Sequence, residues 1–196
     1  MKSAKRASVE LPTAEQIRKE RARLRHKSRY SRTLRSTIAI LVVVAAVAVL
    51  VATLWMPVLR IYGSSMAPTL NDGQIVISLK TTDFKTGDIA AFYYGNKLLI
   101  KRYIAGASDW VNIDEDGTVS VNGIELDEPY LAEKALGQTD IELPYQVPDK
   151  RYFLMGDNRE ASVDSRNTAV GCASDDQIVG KVVFCIWPLD RFGPVQ

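Results

Sequence analysis

The sequence predicts a mainly β domain, folded as a barrel or a sandwich, that follows one membrane-spanning helix near the N-terminus. The first observation behind this fold class is a run of 23 uncharged, mostly apolar residues from Thr37 to Leu59. The second is a series of short β-branched or aromatic segments after Leu59, separated by turn residues and without helical periodicity. The third is a charge asymmetry. Residues 1–36 hold twelve Lys and Arg against three Glu, whereas residues 37–196 hold thirteen basic and twenty acidic side chains.

The apolar run, TIAILVVVAAVAVLVATLWMPVL, is long enough for a helix that crosses a bilayer, which needs about 20 residues. Because the apolar part of a cleaved signal peptide is usually ~7–15 residues long, we interpret residues 37–59 as a retained signal-anchor helix. The alternative is a buried core helix. Flanks rich in Lys and Arg stay in the cytoplasm, so residues 1–36 are predicted to be a basic cytoplasmic tail and residues 60–196 an extracytoplasmic domain.

The basic tail could also be an arm that binds nucleic acid. Because the tail lies beside a predicted spanning helix, we favour a different role: its basic residues keep the N-terminus in the cytoplasm. The tail would also contact anionic membrane lipid. We therefore expect no nucleic-acid partner.

Seven segments of the external region are predicted to be strands: QIVISLK, DIAAFYY, KLLIKRYIA, WVNID, TVSVNG, KRYFLMG and IVGKVVFCIW. Their Val, Ile, Tyr and Phe residues favour a pleated, half-buried surface. The intervening NDG, KTGD, YGNK and DEDG contain the Gly, Asn and Asp typical of turns, and YGNK is predicted to close a hairpin. Many short strands at close spacing are typical of a sandwich or a barrel.

The two cysteines, Cys172 and Cys185, both fall in the external region, where a disulfide could persist. Cys185 lies inside a predicted strand, however, and free buried cysteines are common in such positions. Both interpretations stay open at this point. The sequence contains no cluster of Cys and His with the spacing of metal ligands, so no metal and no cofactor are expected.

Two adjacent serines, Ser64 and Ser65 in GSSMAPTL, follow shortly after the predicted span. A serine hydroxyl needs a base to act as a nucleophile at neutral pH. The only histidine of the chain, His26, lies on the predicted cytoplasmic side, which excludes a Ser-His-Asp arrangement in the external domain. The remaining candidate bases are carboxylates and lysines, and Ser-Lys pairs are a known variant of the catalytic triad.

A lysine can act as a base only when neutral, so its pKa must fall from ~10.4 to ~7–8, which burial among apolar side chains can achieve. Only Lys101 in LLIKRYI and Lys181 in IVGKVVF are flanked by apolar residues on both sides. In a strand, Lys101 would share a face with Leu99 and Tyr103. Either lysine could instead be a solvated charge on an edge strand. The other external lysines lie beside turn residues: Lys80, Lys85, Lys97, Lys134 and Lys150.

From Tyr62 to Pro188, the chain resembles the type I signal peptidases, the membrane-anchored Ser/Lys endopeptidases. GSSMAPTL resembles the nucleophile motif of that family, in which the serine directly before Met attacks the substrate, and this implies Ser65 over Ser64. KRYIAGASD resembles the motif that begins with the general-base lysine and implies Lys101. MGDNREASVDSR resembles the most specific family motif, and KTGDIAAF and NGIELDEPYL resemble two further segments.

The resemblance implies an enzyme of the bacterial cell membrane that removes N-terminal signal peptides from secreted preproteins, after small residues at positions −3 and −1. Ser162 would orient the Lys101 amine, and the main chain of Ser65 and Gly63 would stabilise the oxyanion. A supporting ion-pair network is implied for Asp157, Asp164, Arg166 and Arg102. We expect the substrate to add as a strand beside Gly63 and the strand that ends at Lys101, with contacts from Tyr62, Gly63, Met66, Leu99 and Ile100.

Three other functions fit parts of the sequence. A self-cleaving repressor-type Ser/Lys peptidase would need a DNA-binding region in the place that the apolar run occupies. A membrane-anchored binding protein without activity would not need Ser65, Lys101 and Ser162 together. A peptidase specialised for a few surface proteins would carry the same motifs as a general one.

Overall fold

The structure is a computed structural model that describes residues 13–195, without the side chains of residue 22 and residues 24–32. The described residues up to Val51 form one compact unit, and those from Ala52 onward form a second. The first twelve residues of the predicted basic tail lie outside the described residues, and so does the side chain of His26.

Helix α1 runs from Ala14 to Trp55. Its part from Thr33 to Trp55 is exposed, has a mean hydropathy of 3.0 and is, within residues 13–195, the one segment long and apolar enough to cross a membrane. The predicted helix end at Leu59 is wrong. Pro57 has no N–H to donate and disfavours the helical conformation of the residue before it, so the helix ends before it.

After α1, the described residues form twelve short strands. In chain order they are β1 (Val58–Arg60), β2 (Ile75–Leu79), β3 (Ile89–Tyr94), β4 (Lys97–Ala105), β5 (Trp110–Ile113), β6 (Val119–Val121), β7 (Ile124–Glu125), β8 (Tyr145–Gln146), β9 (Arg151–Met155), β10 (Ala173–Ser174), β11 (Ile178–Trp187) and β12 (Gly193–Pro194).

The strands form two antiparallel sheets. The larger has the order β1-β2-β11-β3-β4-β9-β10, with β12 paired to β11, and the smaller has the order β7-β6-β5-β8. Each of the seven predicted segments contains a strand, and YGNK closes the hairpin in which Tyr94 pairs with Lys97. The predicted mainly β fold class is confirmed.

The pairing of β4 leaves one of its edges open beside the predicted site. Strand β9 pairs with β4 only from Arg102 to Ala105, whereas β3 pairs with it from Lys97 to Arg102. Among the described residues, no strand therefore covers the second edge of β4 between Lys97 and Lys101.

The two cysteines are free and buried. Cys185 packs in an apolar cluster with Met66 and Ile100, whereas Cys172 belongs to a different cluster around Phe153. The structure therefore supports the free-cysteine interpretation.

Candidate active site

Lys101 lies in β4 with its side chain enclosed by the protein. Only 3 % of the residue is exposed, and its neighbours Ile100 and Arg102 are buried as well. Its Nζ donates a hydrogen bond to Ser162 Oγ over 3.0 Å. Burial lowers the pKa of the Lys101 amine from 10.5 to about 8, because the charged form loses its hydration. At pH 7, about one amine in ten is then neutral and able to accept a proton.

Ser162 and Asp164 set the direction of the hydrogen bonds around this amine. Ser162 Oγ lies 2.6 Å from Asp164 Oδ2, and an ionised carboxylate can only accept. The hydroxyl proton of Ser162 is therefore directed at Asp164, and the Lys101 amine must donate to Ser162 rather than accept from it. The lone pair of the neutral amine is left available for a different proton.

Asp164 is held as a carboxylate by the donors that surround it. Nε and Nη2 of Arg166 reach its two oxygens, each over 2.9 Å, and the Gly156 N–H donates to it over 2.9 Å. Burial alone would raise the pKa of Asp164, but the hydrogen bonds from Arg166, Ser162 and Gly156 lower it on balance. The guanidinium of Arg166 is anchored in turn by the Leu136 carbonyl, over 2.7 Å.

A second buried ion pair fixes the chain just before Ser162. Nε and Nη2 of Arg102 donate to the two oxygens of Asp157, over 2.8 and 2.6 Å. Nη1 of Arg102 donates to the Gly87 carbonyl over 2.5 Å, and the guanidinium lies 3.7 Å from the centre of the Tyr130 ring. Since Arg102 follows Lys101 in β4, this pair ties the strand of the candidate base to the loop that leads to Ser162.

Gly156 is the point where the main chain of Ser65 and the side chain of Ser162 meet. The Ser65 carbonyl accepts a hydrogen bond from the Asn158 N–H over 3.1 Å. A Cβ placed on Gly156 would lie 2.2 Å from Ser162 Oγ and 2.5 Å from the Ser65 carbonyl oxygen. Among the described residues no hydrogen bond joins Ser65 Oγ to Lys101 Nζ, and such bonds often tighten only when the substrate is bound. Gly156 thus holds the candidate nucleophile next to the partner of the candidate base.

We expect Gly156→Ala to lower kcat/KM by roughly a hundredfold or more, because the added methyl group must displace either the Ser65 main chain or the Ser162 hydroxyl. The measurement is the rate of preprotein cleavage by the full chain. Gly193→Ala is the matched control, because a Cβ on Gly193 meets no atom within 4 Å. Equal activity of the two variants would contradict the role given to Gly156.

The two predicted oxyanion donors differ in the structure. The Ser65 N–H makes no hydrogen bond to another described residue. The Gly63 N–H donates to Asp72 Oδ1 over 2.8 Å and is therefore already engaged. Gly63 has a φ of +84°, a conformation that favours glycine.

The predicted substrate contacts fall into exposed and buried residues. Tyr62 is 76 % exposed, whereas Met66 is only 2 % exposed and packs in the core with Ile100. Leu99 is half-buried and packs against a neighbouring cluster around Phe92. Tyr62 comes just after β1 and before Ser65 in the chain, whereas Leu99 and Ile100 belong to β4.

Lys181, the other candidate base from the sequence, occupies a different environment. Its Nζ lies 2.7 Å from Asp88 Oδ1, and its side chain is 32 % exposed. The partner of Lys181 is thus a carboxylate, whereas the partner of Lys101 is Ser162 of the predicted site. The geometry therefore favours Lys101.

Sequence reasoning missed the part that Glu128 and Tyr130 play around the site. Arg159 forms a buried ion pair with Glu128, and its Nε donates to the Gly156 carbonyl over 3.1 Å. The Tyr130 hydroxyl donates to Glu128 over 2.8 Å, and the Tyr130 ring covers Arg102. The segment thus supports Gly156 through Arg159 and Asp157 through Arg102. Only the resemblance of NGIELDEPYL to a family segment pointed to it.

We expect Glu128→Ala to lower the free energy of unfolding by about 3–5 kcal/mol, because it leaves the buried Arg159 guanidinium without its partner. Denaturant unfolding of the full chain measures the change. Glu125→Ala is the control, since Glu125 pairs with Lys134 at an exposed position and such pairs contribute about 0–1 kcal/mol. A similar small loss for both variants would contradict the expectation.

Most of the chain is similar to known proteins. The family "Signal peptidase, peptidase S26" matches residues 34–187. Signal peptidase I of Bacillus licheniformis is 35% identical over 166 residues, which cover 78% of this chain and 88% of the relative. Signal peptidase IB of Staphylococcus aureus is 38% identical over 152 residues, which cover 67% of this chain and 78% of the relative.

Among solved structures, the chain is similar to a crystal structure of a signal peptidase I from Enterococcus faecalis. The TM-score is 0.44 at 28% sequence identity, and the match covers 51% of this chain and 97% of the other.

Proposed function

Because the chain belongs to the signal peptidase family, peptidase S26, we propose that Ser65 is its nucleophile and Lys101 its general base. As a member, it is a serine endopeptidase that removes signal peptides from secretory preproteins. The single observation that carries the residue assignment is the buried Lys101 amine, whose pKa is about 8 and which hydrogen-bonds Ser162.

The proposed reaction begins when the neutral Lys101 amine takes the hydroxyl proton of Ser65. The Ser65 oxygen then bonds to the carbonyl carbon of the scissile peptide bond. The oxyanion that forms accepts a hydrogen bond from the Ser65 N–H. Lys101 then returns the proton to the leaving amine of the mature chain, which leaves the signal peptide as an ester on Ser65. Water then gives a proton to Lys101 while its oxygen bonds to the ester carbon. Lys101 passes this proton to the Ser65 oxygen as the ester bond breaks, so the signal peptide departs as a carboxylic acid and both residues are restored.

Ser162 acts as a positioning residue in this scheme. Its hydroxyl accepts a hydrogen bond from the Lys101 amine and donates one to Asp164. Ser162 can therefore hold the amine while the nitrogen lone pair of Lys101 stays free. The ion pairs of Asp164 with Arg166 and of Asp157 with Arg102 keep the loop around Ser162 in place.

The open edge of β4 offers a place for an extended substrate. The edge from Lys97 to Lys101 carries no strand among the described residues, and a peptide can add to such an edge through main-chain hydrogen bonds. We propose that the signal peptide lies between this edge and the segment that ends at Gly63. Alternate side chains of an extended chain point the same way, so positions −1 and −3 would be read together as small residues, as in Ala-x-Ala.

We further propose a single-pass topology with the N-terminus in the cytoplasm. The helix from Thr33 to Trp55 fits one membrane anchor, and the excess of Lys and Arg in residues 1–36 favours a cytoplasmic tail in contact with anionic lipid. Residues 60–196 would then form the extracytoplasmic catalytic domain.

The experiment is cleavage of a preprotein with an Ala-x-Ala site by the detergent-solubilised full chain, with the mass of the mature fragment read by mass spectrometry. We expect one cut directly after the −1 alanine. Replacing that alanine by leucine should slow cleavage by roughly a hundredfold or more, whereas the same change at −2 should have little effect. Cleavage at another position, or equal sensitivity at −1 and −2, would contradict the proposal.

A further inference from the structure

A cavity of about 400 Å³ opens beside the proposed nucleophile. Ala67 and Pro68, which follow Ser65 in the chain, form one wall, and the loop residues 157–160 form another. The loop wall is tied directly to the nucleophile, because the Asn158 N–H donates to the Ser65 carbonyl. Residues of the segment after β7 complete the cavity.

The position of the cavity indicates which part of a substrate could reach it. None of the residues proposed to hold the signal peptide lines it, neither Tyr62 and Gly63 nor the residues of β4. In an extended substrate, the residues before and after the scissile bond leave the nucleophile in opposite directions. Tyr62 and Gly63 precede Ser65 in the chain, whereas Ala67 and Pro68 of the cavity wall follow it, so the cavity is available to the part of the substrate beyond the scissile bond.

The charges on the cavity wall are unbalanced. Asp157 and Arg159 are neutralised by their buried partners, as described above. Glu133 and Glu160 also line the cavity, and neither forms an ion pair with another described residue. The adjacent lysine, Lys134, donates instead to Thr118 and Glu125, so it does not neutralise the pair.

We propose that this cavity binds the first residues of the mature chain and that Glu133 and Glu160 favour a basic side chain there. The inference rests on the proposed function of Ser65 and Lys101. The alanines and the proline of the cavity wall offer apolar contact to the methylene stem of a Lys or Arg, while Glu133 and Glu160, which also line the cavity, supply negative charge for its charged end. The site would thus make cleavage depend on the mature side of a preprotein as well as on its signal peptide.

The test uses three preproteins with the same signal peptide and Ala-x-Ala site that carry Lys, Glu or Ala at the second mature position. For each enzyme, kcat/KM is measured for all three, and the Lys-to-Glu ratio is the readout. The enzymes are the wild-type full chain, the double variant Glu133→Gln, Glu160→Gln, and the control Glu115→Gln, Glu142→Gln. The control changes the net charge equally at two exposed positions that do not line the cavity.

For the wild type we expect a Lys-to-Glu ratio of roughly five, as two partly exposed ion pairs would produce, and a decline of that ratio at high salt. The ratio should approach one in the Glu133, Glu160 variant and stay near the wild-type value in the control. An equal ratio in all three enzymes, or an equal loss in both variants, would overturn the inference. Failure of the wild type to cleave even the Ala preprotein would overturn the proposed function and the inference with it, and this outcome is distinct because no ratio is then measured.

Discussion

Cleavage of an Ala-x-Ala preprotein is expected to fall by a factor on the order of 10⁴ or more in Ser65→Ala, because the variant lacks the oxygen that bonds to the substrate carbonyl. The hydroxyl of Ser65 makes no hydrogen bond to another described residue, so its removal should leave the fold unchanged. The measurement is the initial rate of cleavage by the full chain in detergent, with a thermal unfolding midpoint to confirm the fold.

Ser64→Ala is the matched control for this result. Ser64 is exposed, and the bond that it makes, from the Ala67 N–H to its carbonyl, uses the main chain that alanine retains. We expect activity within about threefold of the wild type, the range of a neutral surface change. Full activity of Ser65→Ala together with inactivity of Ser64→Ala would transfer the role of nucleophile to Ser64.

Lys101→Met is expected to lower cleavage by a similar factor, on the order of 10⁴, because methionine keeps the length and the apolar stem of lysine but cannot accept a proton. Its stability should not fall, since the change removes an amine whose charge is costly to bury. Lys101→Arg should be equally inactive, because a guanidinium stays charged at any working pH. The same cleavage assay and unfolding midpoint report both effects.

Lys181→Met provides the control for the lysine. Lys181 pairs with Asp88 at a partly exposed position, so its loss should affect stability slightly and leave cleavage near the wild-type rate. Activity of Lys101→Met equal to that of Lys181→Met would show that the buried amine is not the base.

The strands could be predicted from the sequence because their apolar and β-branched residues alternate with turn residues over short distances. Strand β4 is an example: its burial and the two-residue hairpin before it follow from KLLIKRYIA and YGNK alone. The end of α1 was misplaced because hydropathy does not distinguish Val58 and Leu59 in a helix from the same residues in a strand. Pro57 was the local signal that should have ended the helix.

The candidate site could be predicted only in part. The single His excluded a histidine base and left carboxylates and lysines, and the need for desolvation narrowed the lysines to Lys101 and Lys181. The choice between these two lysines needed the resemblance to the signal peptidases. The structure adds the hydrogen-bond partner of Lys101, Ser162, and the ion-pair partner of Lys181, Asp88. The ion pair of Glu128 with Arg159 joins residues 31 positions apart, and no periodicity of the sequence indicates such a pair. The role of Gly156 could not be predicted from the sequence either, since it depends on which atoms lie close to the position that a Cβ would occupy.

The most direct test of the central claim is the pH dependence of kcat/KM for the wild-type full chain, measured between about pH 5 and about pH 9 on a preprotein without groups that titrate in this range. Burial lowers the pKa of Lys101 to about 8, and the reaction needs the neutral amine. We expect activity to rise with pH to a plateau, with a midpoint near 8 and a fall of about tenfold for each pH unit below about 7. Activity that stays constant down to about pH 5 would contradict a lysine base at this site.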